Sequence, residues 1–197
     1  MSRREQKSQT RSLILQAALR LYARTGIGAT RSSEVADEAG CAHGTVFLHF
    51  RSQEELLAAV IEDFGMRIAA RLHELATRGA GLRSVLEAHL QGLAENEDFY
   101  ARLVSESPTL PRQARITLTM IQSTISQHFE EALAAMSTAG PRPALHLMFN
   151  TWIGLIHHYV VNRDSFAPGQ SVLLQKGPEL LDFYVGLIGH AAGRGES

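Results

Sequence analysis

Helical spacing of apolar residues runs through nearly the whole chain and restricts its fold more than any other feature. The first long segment places its apolar residues at i, i+3/i+4 and i+7, the spacing of one helix face, at Leu13, Ile14, Ala17, Ala18, Leu21 and Tyr22. Glycine and proline interrupt the pattern, for example at Gly26, Gly40 and Pro108. No segment shows the convincing alternation of a strand. The chain is therefore predicted to be all-α, with about nine helices.

Local signals predict several helix ends. Thr30 is expected to cap the second helix, and Ser52 followed by Glu55 has the pattern of a capping box that opens a long fourth helix. Pro178 suits the first turn of the last helix, so residues 164–176 are predicted to form a loop. Residues 1–9 are polar and are predicted to lie outside the first helix.

Charge is distributed unevenly along the chain. The formal net charge is −1, but residues 1–53 carry +4 and the remainder carries −5. A basic N-terminal quarter indicates a polyanionic partner there. A single cysteine, Cys41, excludes an intramolecular disulfide framework and a thiolate-rich zinc site.

No segment is predicted to cross or enter a membrane. The most apolar long stretch, residues 149–161, is too short and contains Asn150, His157 and His158. The N-terminus lacks the pattern of a signal peptide, so a cytoplasmic protein is expected.

Residues 30–50 have the size and spacing of a helix-turn-helix. Small Ala36 and Ala39 allow two short helices to approach closely, and Gly40 suits the turn between them. The second helix begins with the polar segment 42–45, where readers of the DNA major groove place base-contacting side chains. An ordinary helical hairpin would share these residues, so the pattern alone leaves both interpretations open.

The stretch from Thr10 to Val60 resembles the DNA-binding domain of the TetR family of bacterial regulators. The residues that carry the resemblance are Ile14, Ala17, Ala18, Leu21, Tyr22, Gly26, Thr30, Val35, Ala36, Ala39, Gly40, Gly44, Thr45, Val46, Phe47, His49, Phe50, Ser52, Glu54, Leu56 and Leu57. The resemblance implies a three-helix DNA-binding domain over residues 1–53, with a tail at 1–9. It also implies a helical bundle for ligand binding and dimerisation over residues 54–197.

The same resemblance implies which residues contact DNA. Phosphate contacts are expected at Thr30, Arg31, Thr45 and His49, and base contacts around Ala42, His43 and Thr45. The set is Thr30, Arg31, Ala42, His43, Gly44, Thr45, Phe47, His49 and Arg51. His43 stands where lysine is common, Phe47 replaces a usual tyrosine, and Gln53 replaces a lysine. The operator sequence therefore does not carry over from the family.

An interior ligand cavity is predicted in the bundle, with a solid core as the alternative. Its expected walls are Phe64, Ile68, Leu86, Leu90, Phe99, Leu103, Met120 and Trp152, with His89, Asn150 and His157 as polar contacts. Such walls favour a small, mainly apolar ligand held by a few hydrogen bonds. No cofactor is expected.

The last two helices are apolar on more than one side, which predicts an additional partner for them. In the TetR family this partner is a second copy of the chain. The residues predicted to form the homodimer are Leu145, Phe149, Ile156, Leu180, Leu181, Tyr184, Leu187 and Ile188.

These features together predict a ligand-responsive repressor that binds an inverted repeat of double-stranded DNA as a homodimer. An enzyme is not expected, because no nucleophile–base pair or metal-ligand spacing is present and no catalytic residue is assigned. The alternative is a helical protein that binds a partner, a metal or a small molecule and carries a degenerate DNA-binding head. A metal site in it would need His128, His146, His157 and Asp164 to converge.

Overall fold

A computed structural model describes residues 2–78, 80–134 and 144–193. Within these ranges the chain forms ten α-helices and one 3-10 helix, Ser107–Thr109, and no strand, which confirms the predicted all-α class. The helices are α1 Arg3–Thr25, α2 Ser32–Glu38, α3 His43–His49, α4 Gln53–Thr77, α5 Leu82–Ala94, α6 Glu97–Ser105, α7 Arg112–Ala134, α8 Leu145–Val161, α9 Arg163–Phe166 and α10 Val172–Gly193. None of these helices is long and apolar enough to span a bilayer.

The chain divides into two compact units. The N-terminal unit comprises residues 1–66 and 98–120, and the C-terminal unit comprises residues 67–97 and 121–197. The division therefore does not fall at the predicted boundary between residues 53 and 54. A DNA-binding role for 1–53 and a ligand-binding and dimerisation role for 54–197 remain predictions about function.

Helix α1 begins at Arg3, so the prediction that residues 1–9 lie outside it is wrong. The Ser2 hydroxyl accepts a hydrogen bond from the Glu5 amide at 3.2 Å, and the Glu5 carboxylate accepts one from the Ser2 amide at 2.7 Å. This reciprocal cap satisfies two amides that a helix start leaves without partners. Because residues 1–9 are polar, they show no apolar spacing from which a helix could be predicted.

Two other predicted caps differ in outcome. The Ser52 hydroxyl accepts from the Glu55 amide at 3.1 Å, as predicted, although the Glu55 carboxylate accepts from the Arg51 amide instead of Ser52. Thr30 does not cap α2, whose N-cap residue is Arg31. The Thr30 hydroxyl instead donates to the Gly26 carbonyl at 2.7 Å.

Aromatic side chains form the centre of the N-terminal unit. The Phe99 ring lies 6.4 Å from the Tyr22 ring and 5.3 Å, edge to face, from the Phe64 ring. All three side chains are buried. These contacts join α1 and the first half of α4 to α6. Aromatic pairs of this geometry add to the free energy gained by burial.

The C-terminal unit is built around Trp152 of α8, which is fully buried. Its indole N–H donates to His89 Nδ1 at 3.1 Å, and its ring lies 5.0 Å from the Tyr184 ring. The Tyr184 hydroxyl in turn donates to the Met148 carbonyl. The polar ends of these side chains are therefore satisfied inside an otherwise apolar core, as burial requires.

Helix α9 ends at Phe166 and α10 begins at Val172, so the loop predicted for residues 164–176 is confined to residues 167–171. The buried Glu97 carboxylate accepts hydrogen bonds from the Val172 amide at 2.9 Å and the Leu173 amide at 3.0 Å. It also accepts from the Ser171 hydroxyl. A negative charge at a helix start stabilises it, so this cap lets α10 begin six residues before Pro178, which lies inside the helix.

Protonation of His89 should destabilise the fold at acidic pH. Burial, and to a lesser extent nearby His157, lowers the pKa of His89 to about 4, from an ordinary value of 6.5. Between these values the unfolded chain binds a proton that the folded chain excludes. Stability should therefore fall as the pH drops from 6.5 to 4, by up to about 3 kcal/mol.

Urea unfolding at several pH values tests this expectation. His89→Gln, which keeps an acceptor for the Trp152 indole, should flatten the dependence between pH 4 and 6.5. His146 is exposed, so His146→Gln serves as the control and should leave the pH dependence of the unfolding free energy unchanged. If the unfolding free energy of His89→Gln fell with pH as steeply as that of the wild type, another titratable group would cause the loss of stability.

Candidate nucleic-acid interface

Helices α2 and α3 form the helix-turn-helix that the sequence predicted. Gly40 adopts a positive φ of 67° in the turn between them, a conformation that favours glycine. The Cys41 amide donates to the Ala36 carbonyl at 3.0 Å and closes the turn. Val35 and Val46 are buried between the helices, so the opposite side of α3 faces outward.

The start of α3 is exposed. Ala42, His43 and Gly44 lie on the surface, Thr45 is half-buried, and a Cβ added at Gly44 would meet no atom within 4 Å. His43 Nε2 lies 3.1 Å from the Ser32 hydroxyl oxygen, and the His43 ring meets the exposed Phe47 ring edge to face at 5.0 Å. The predicted base-contacting residues are thus accessible, and His43 is held in one orientation.

Basic side chains of α1 lie near the end of α3. The Arg11 guanidinium sits over the Phe50 ring at 5.1 Å from its centroid. Burial, with smaller contributions from the charges of Lys7 and Arg11, lowers the pKa of His49. The charged form of His49 is therefore disfavoured, which suits its ring to a hydrogen bond with phosphate more than to an ion pair.

Arg11 was not among the predicted DNA-contacting residues. The i, i+4 spacing of Lys7 and Arg11 was a usable signal, but it places both on one face only if the helix extends back beyond residue 9. Arg31 and Arg51, which were predicted, are exposed.

Thr30 does not present its hydroxyl for phosphate binding. The residue is 1% exposed, and the hydroxyl lies 2.9 Å from that of Thr25 in addition to its bond with Gly26. Its side chain therefore stabilises the connection between α1 and α2. This corrects the expectation that it contacts DNA.

Glu106, which follows α6, holds the same connection. Its carboxylate accepts hydrogen bonds from the Ile27 amide at 3.1 Å and the Gly28 amide at 2.9 Å. Gly26 adopts a φ of 98°, and a Cβ added there would lie 3.0 Å from the carboxylate. A glycine is needed at that position both for its backbone conformation and for the approach of Glu106.

The residues predicted to line a ligand cavity are distributed over both units. Phe64, Phe99 and Leu103 are buried in the N-terminal unit, and Ile68, Leu86, His89, Leu90 and Trp152 are buried in the C-terminal unit. His157 is half-buried. Met120 is 66% exposed and Asn150 also lies on the surface. These last two were wrongly placed in the interior.

Most residues predicted for the dimer interface are buried within the protomer itself. This applies to Phe149, Ile156, Leu180, Leu181, Tyr184 and Ile188, whereas Leu145 is half-buried and Leu187 is exposed. The exposed surface of these two helices includes Leu187 and several residues outside the predicted set. Those residues are Leu147, Thr151, Gly154, His158 and Val161 of α8 and Phe183 of α10, and together with Leu187 we call them the α8–α10 face.

No metal site is present among the residues that the structure describes. Within them, no three His, Cys, Asp or Glu side chains are arranged to share an ion. His128, His146, His157 and Asp164 therefore do not converge as the alternative interpretation required. His128 Nδ1 instead lies 3.1 Å from the Glu131 carboxylate.

Known proteins resemble this chain most clearly in its N-terminal part. Residues 14–60 match the sequence model of the bacterial regulatory proteins of the tetR family. The HTH-type transcriptional regulator YfiR of Bacillus subtilis is 32% identical over 101 residues, which cover 50% of this chain and 49% of that protein. The HTH-type transcriptional repressor KstR2 of Rhodococcus jostii is 32% identical over 82 residues, covering 42% and 40% respectively. The chain spans about half or less of the length of the curated relatives it matches.

A solved structure extends the likeness of fold to nearly the whole chain. The transcriptional regulator FadR of Bacillus subtilis, determined in complex with stearoyl-CoA, has a TM-score of 0.70 at 18% identity. The alignment covers 88% of this chain and 97% of FadR. The family match falls on α1 to α4, the helices that form the helix-turn-helix and its supports. Residues 14–60 therefore carry the sequence that is characteristic of the bacterial regulatory proteins of the tetR family.

Proposed function

We propose that the protein is a transcriptional regulator that binds double-stranded DNA through α3. The observation that carries the proposal is the exposed start of α3, together with Lys7 and Arg11 near the end of the same helix. Exposed side chains at a helix start are suited to reading base edges in the major groove, and nearby lysines and arginines are suited to phosphates. The relatives named as transcriptional regulators and repressors support this assignment.

The operator is proposed to be an inverted repeat read by a homodimer. A two-fold dimer places two recognition helices against two half-sites of opposite orientation. The α8–α10 face supports pairing because it combines apolar Leu147, Phe183 and Leu187 with Gly154, where a partner helix can approach closely. Phe183 is 62% exposed, which is unfavourable for an aromatic side chain unless another surface covers it.

Regulation is proposed to be repression that a small, mainly apolar ligand relieves. The C-terminal unit buries Leu86, Leu90 and Trp152, with His89 as a polar contact. FadR, which shares the fold, binds an acyl-CoA, and this supports a ligand with a long apolar part. Binding of such a ligand would favour a conformation with lower affinity for DNA.

In vitro selection from random duplexes with the purified protein tests DNA recognition. We expect enrichment of an inverted repeat, with an affinity that decreases steeply as salt rises because phosphate binding releases counterions. A pool without any enriched sequence would contradict the proposal.

Arg31→Ala should weaken binding to selected and unrelated duplexes alike. Loss of one phosphate contact should lower the affinity by about tenfold and reduce the slope of log K against log salt by about 1. Arg78→Ala, which removes an exposed arginine at the end of α4 that pairs with Glu74 at 2.7 Å, is the control. Equal effects of the two substitutions would show that Arg31 does not contact DNA.

His43→Ala should change which sequences are selected. His43 is exposed at the start of α3 and is assigned to base contact, so its removal relaxes preference at one position of each half-site. An unchanged selected sequence with uniformly weaker binding would instead assign His43 to phosphate.

A further inference from the structure

A cavity with a volume of 360 Å³ lies within the N-terminal unit. Its walls come from α1, the connection between α1 and α2, the start of α4 and residues 106–111. No lining residue belongs to α3 or to the C-terminal unit. The volume falls within the range of small-molecule sites, about 300–1,000 Å³.

The polar side chains of this cavity mainly offer hydrogen-bond acceptors. Glu54 and Glu106 contribute carboxylates, and no lysine or arginine is among the lining residues. The Gln53 amide nitrogen already donates to the Thr30 carbonyl, and the Thr109 hydroxyl donates to the Glu106 carbonyl at 2.9 Å. Their remaining oxygen lone pairs are acceptors.

Tyr22 adds a buried hydroxyl for which the structure gives no partner. The residue is 1% exposed, and its hydroxyl makes no hydrogen bond with the described residues. Burying a hydroxyl without a partner costs free energy, and its oxygen can accept a hydrogen bond as well as donate one. Tyr22 also forms part of the cavity wall, but its hydroxyl oxygen is almost fully covered, so a ligand reaches it only if the wall side chains move slightly.

The rest of the wall is apolar. Ile27, Leu57, Leu110 and Pro111 line it, and the first three of these are buried. A ligand that fits must therefore combine an apolar body with a group rich in hydrogen-bond donors.

We propose that this cavity binds a compact organic cation, a primary amine carried on an aromatic or apolar body. An ammonium group has three donors and no acceptor, which complements a wall of carboxylates and oxygen acceptors. An anion of the same size is disfavoured, because it would face two carboxylates without a basic side chain to balance them.

Occupancy should be detectable at the connection between α1 and α2. Glu106 lines the cavity and also holds the Ile27 and Gly28 amides. A cation beside its carboxylate would weaken these two hydrogen bonds by drawing charge away from them. The inference goes beyond the proposed function, since it depends neither on DNA binding nor on a ligand in the C-terminal unit.

Amide NMR of the full ¹⁵N-labelled chain, without DNA, tests the proposal at neutral pH. The probes are 2-phenylethylamine and phenylacetate, which carry the same ring and opposite charges. We expect saturable shifts of the Ile27 and Gly28 amides with the amine and none with the carboxylate. Equal responses to both probes, or shifts that grow linearly without saturation, would overturn the proposal.

Three variants locate the binding. Glu54→Gln should weaken amine binding by about fivefold, the effect of removing one partly exposed charge pair. Thr109→Phe should reduce it further by filling the cavity, while Glu62→Gln, an exposed charge on α4 outside the cavity, should leave it unchanged. Amine binding that is unaffected by Glu54→Gln overturns the site, whether or not the phenylalanine variant folds.

Discussion

Phe183→Glu should convert the protein from a dimer to a monomer and lower its affinity for an inverted-repeat operator by about 100-fold or more. The charge would lie in the α8–α10 face, where pairing with a second copy would bury it without a partner. A monomer engages one half-site at a time, and so loses the gain that comes from linking two binding events. Light scattering at micromolar concentration measures the first effect, and a DNA titration measures the second.

Leu174→Glu is the matched control for this prediction. Leu174 is also an exposed apolar residue of α10. It lies nine positions before Phe183, which places it about half a turn away around the helix axis. It should leave the mass and DNA affinity unchanged. A wild-type protein that is monomeric at micromolar concentration, or a Phe183→Glu variant that remains dimeric, would refute this interface. Leu181→Glu is unsuitable for the test, because Leu181 is buried in the protomer and its replacement would unfold the chain.

Glu97→Gln should lower the free energy of unfolding by about 2–4 kcal/mol. The carboxylate accepts hydrogen bonds from Ser171, Val172 and Leu173 at the start of α10. The amide removes the charge, retains one acceptor oxygen and turns its NH₂ group toward other donors. Equilibrium urea unfolding followed by circular dichroism at neutral pH measures the difference.

Glu95→Gln provides the comparison for Glu97. Glu95 lies two residues earlier and pairs with Arg71 at 2.8 Å, but both side chains are exposed. Exposed ion pairs contribute little, about 0–1 kcal/mol. If both substitutions destabilised the protein equally, the three hydrogen bonds at the start of α10 would not be the source of the stability.

Local pattern was sufficient to predict two short helices joined by a turn at Gly40, and the resemblance to the TetR family selected the helix-turn-helix over an ordinary helical hairpin. Val35, Ala36 and Val46 pack as their spacing predicted, and Gly40 takes the positive φ that the turn requires. These features depend on neighbours within about twenty residues. The same is true of most helices, whose apolar spacing and flanking glycines or prolines act over a few turns.

Side-chain roles at the site were less predictable. The position of Thr30 before a helix predicts a helix cap or a phosphate contact, yet its hydroxyl donates to the Gly26 carbonyl. Lys7 lies on the same helix face as Arg11, near His49, only because α1 extends back to Arg3. In both cases the role follows from which neighbouring group lies within hydrogen-bond or charge distance, and sequence spacing does not give that distance.

The amino-acid sequence by itself determined that this chain is helical and that residues 30–50 form two short helices with a tight turn, because helix formation and tight turns depend on short-range spacing. Only the tertiary structure decided where α10 begins, since its cap, Glu97, comes from 75 residues earlier. It also decided which side of α10 is buried. Leu180, Leu181 and Tyr184 do not differ in apolar character enough from Phe183 and Leu187 to predict this. The positions of α5 and α8, which both pack against α10, separate the inner residues from the outer ones.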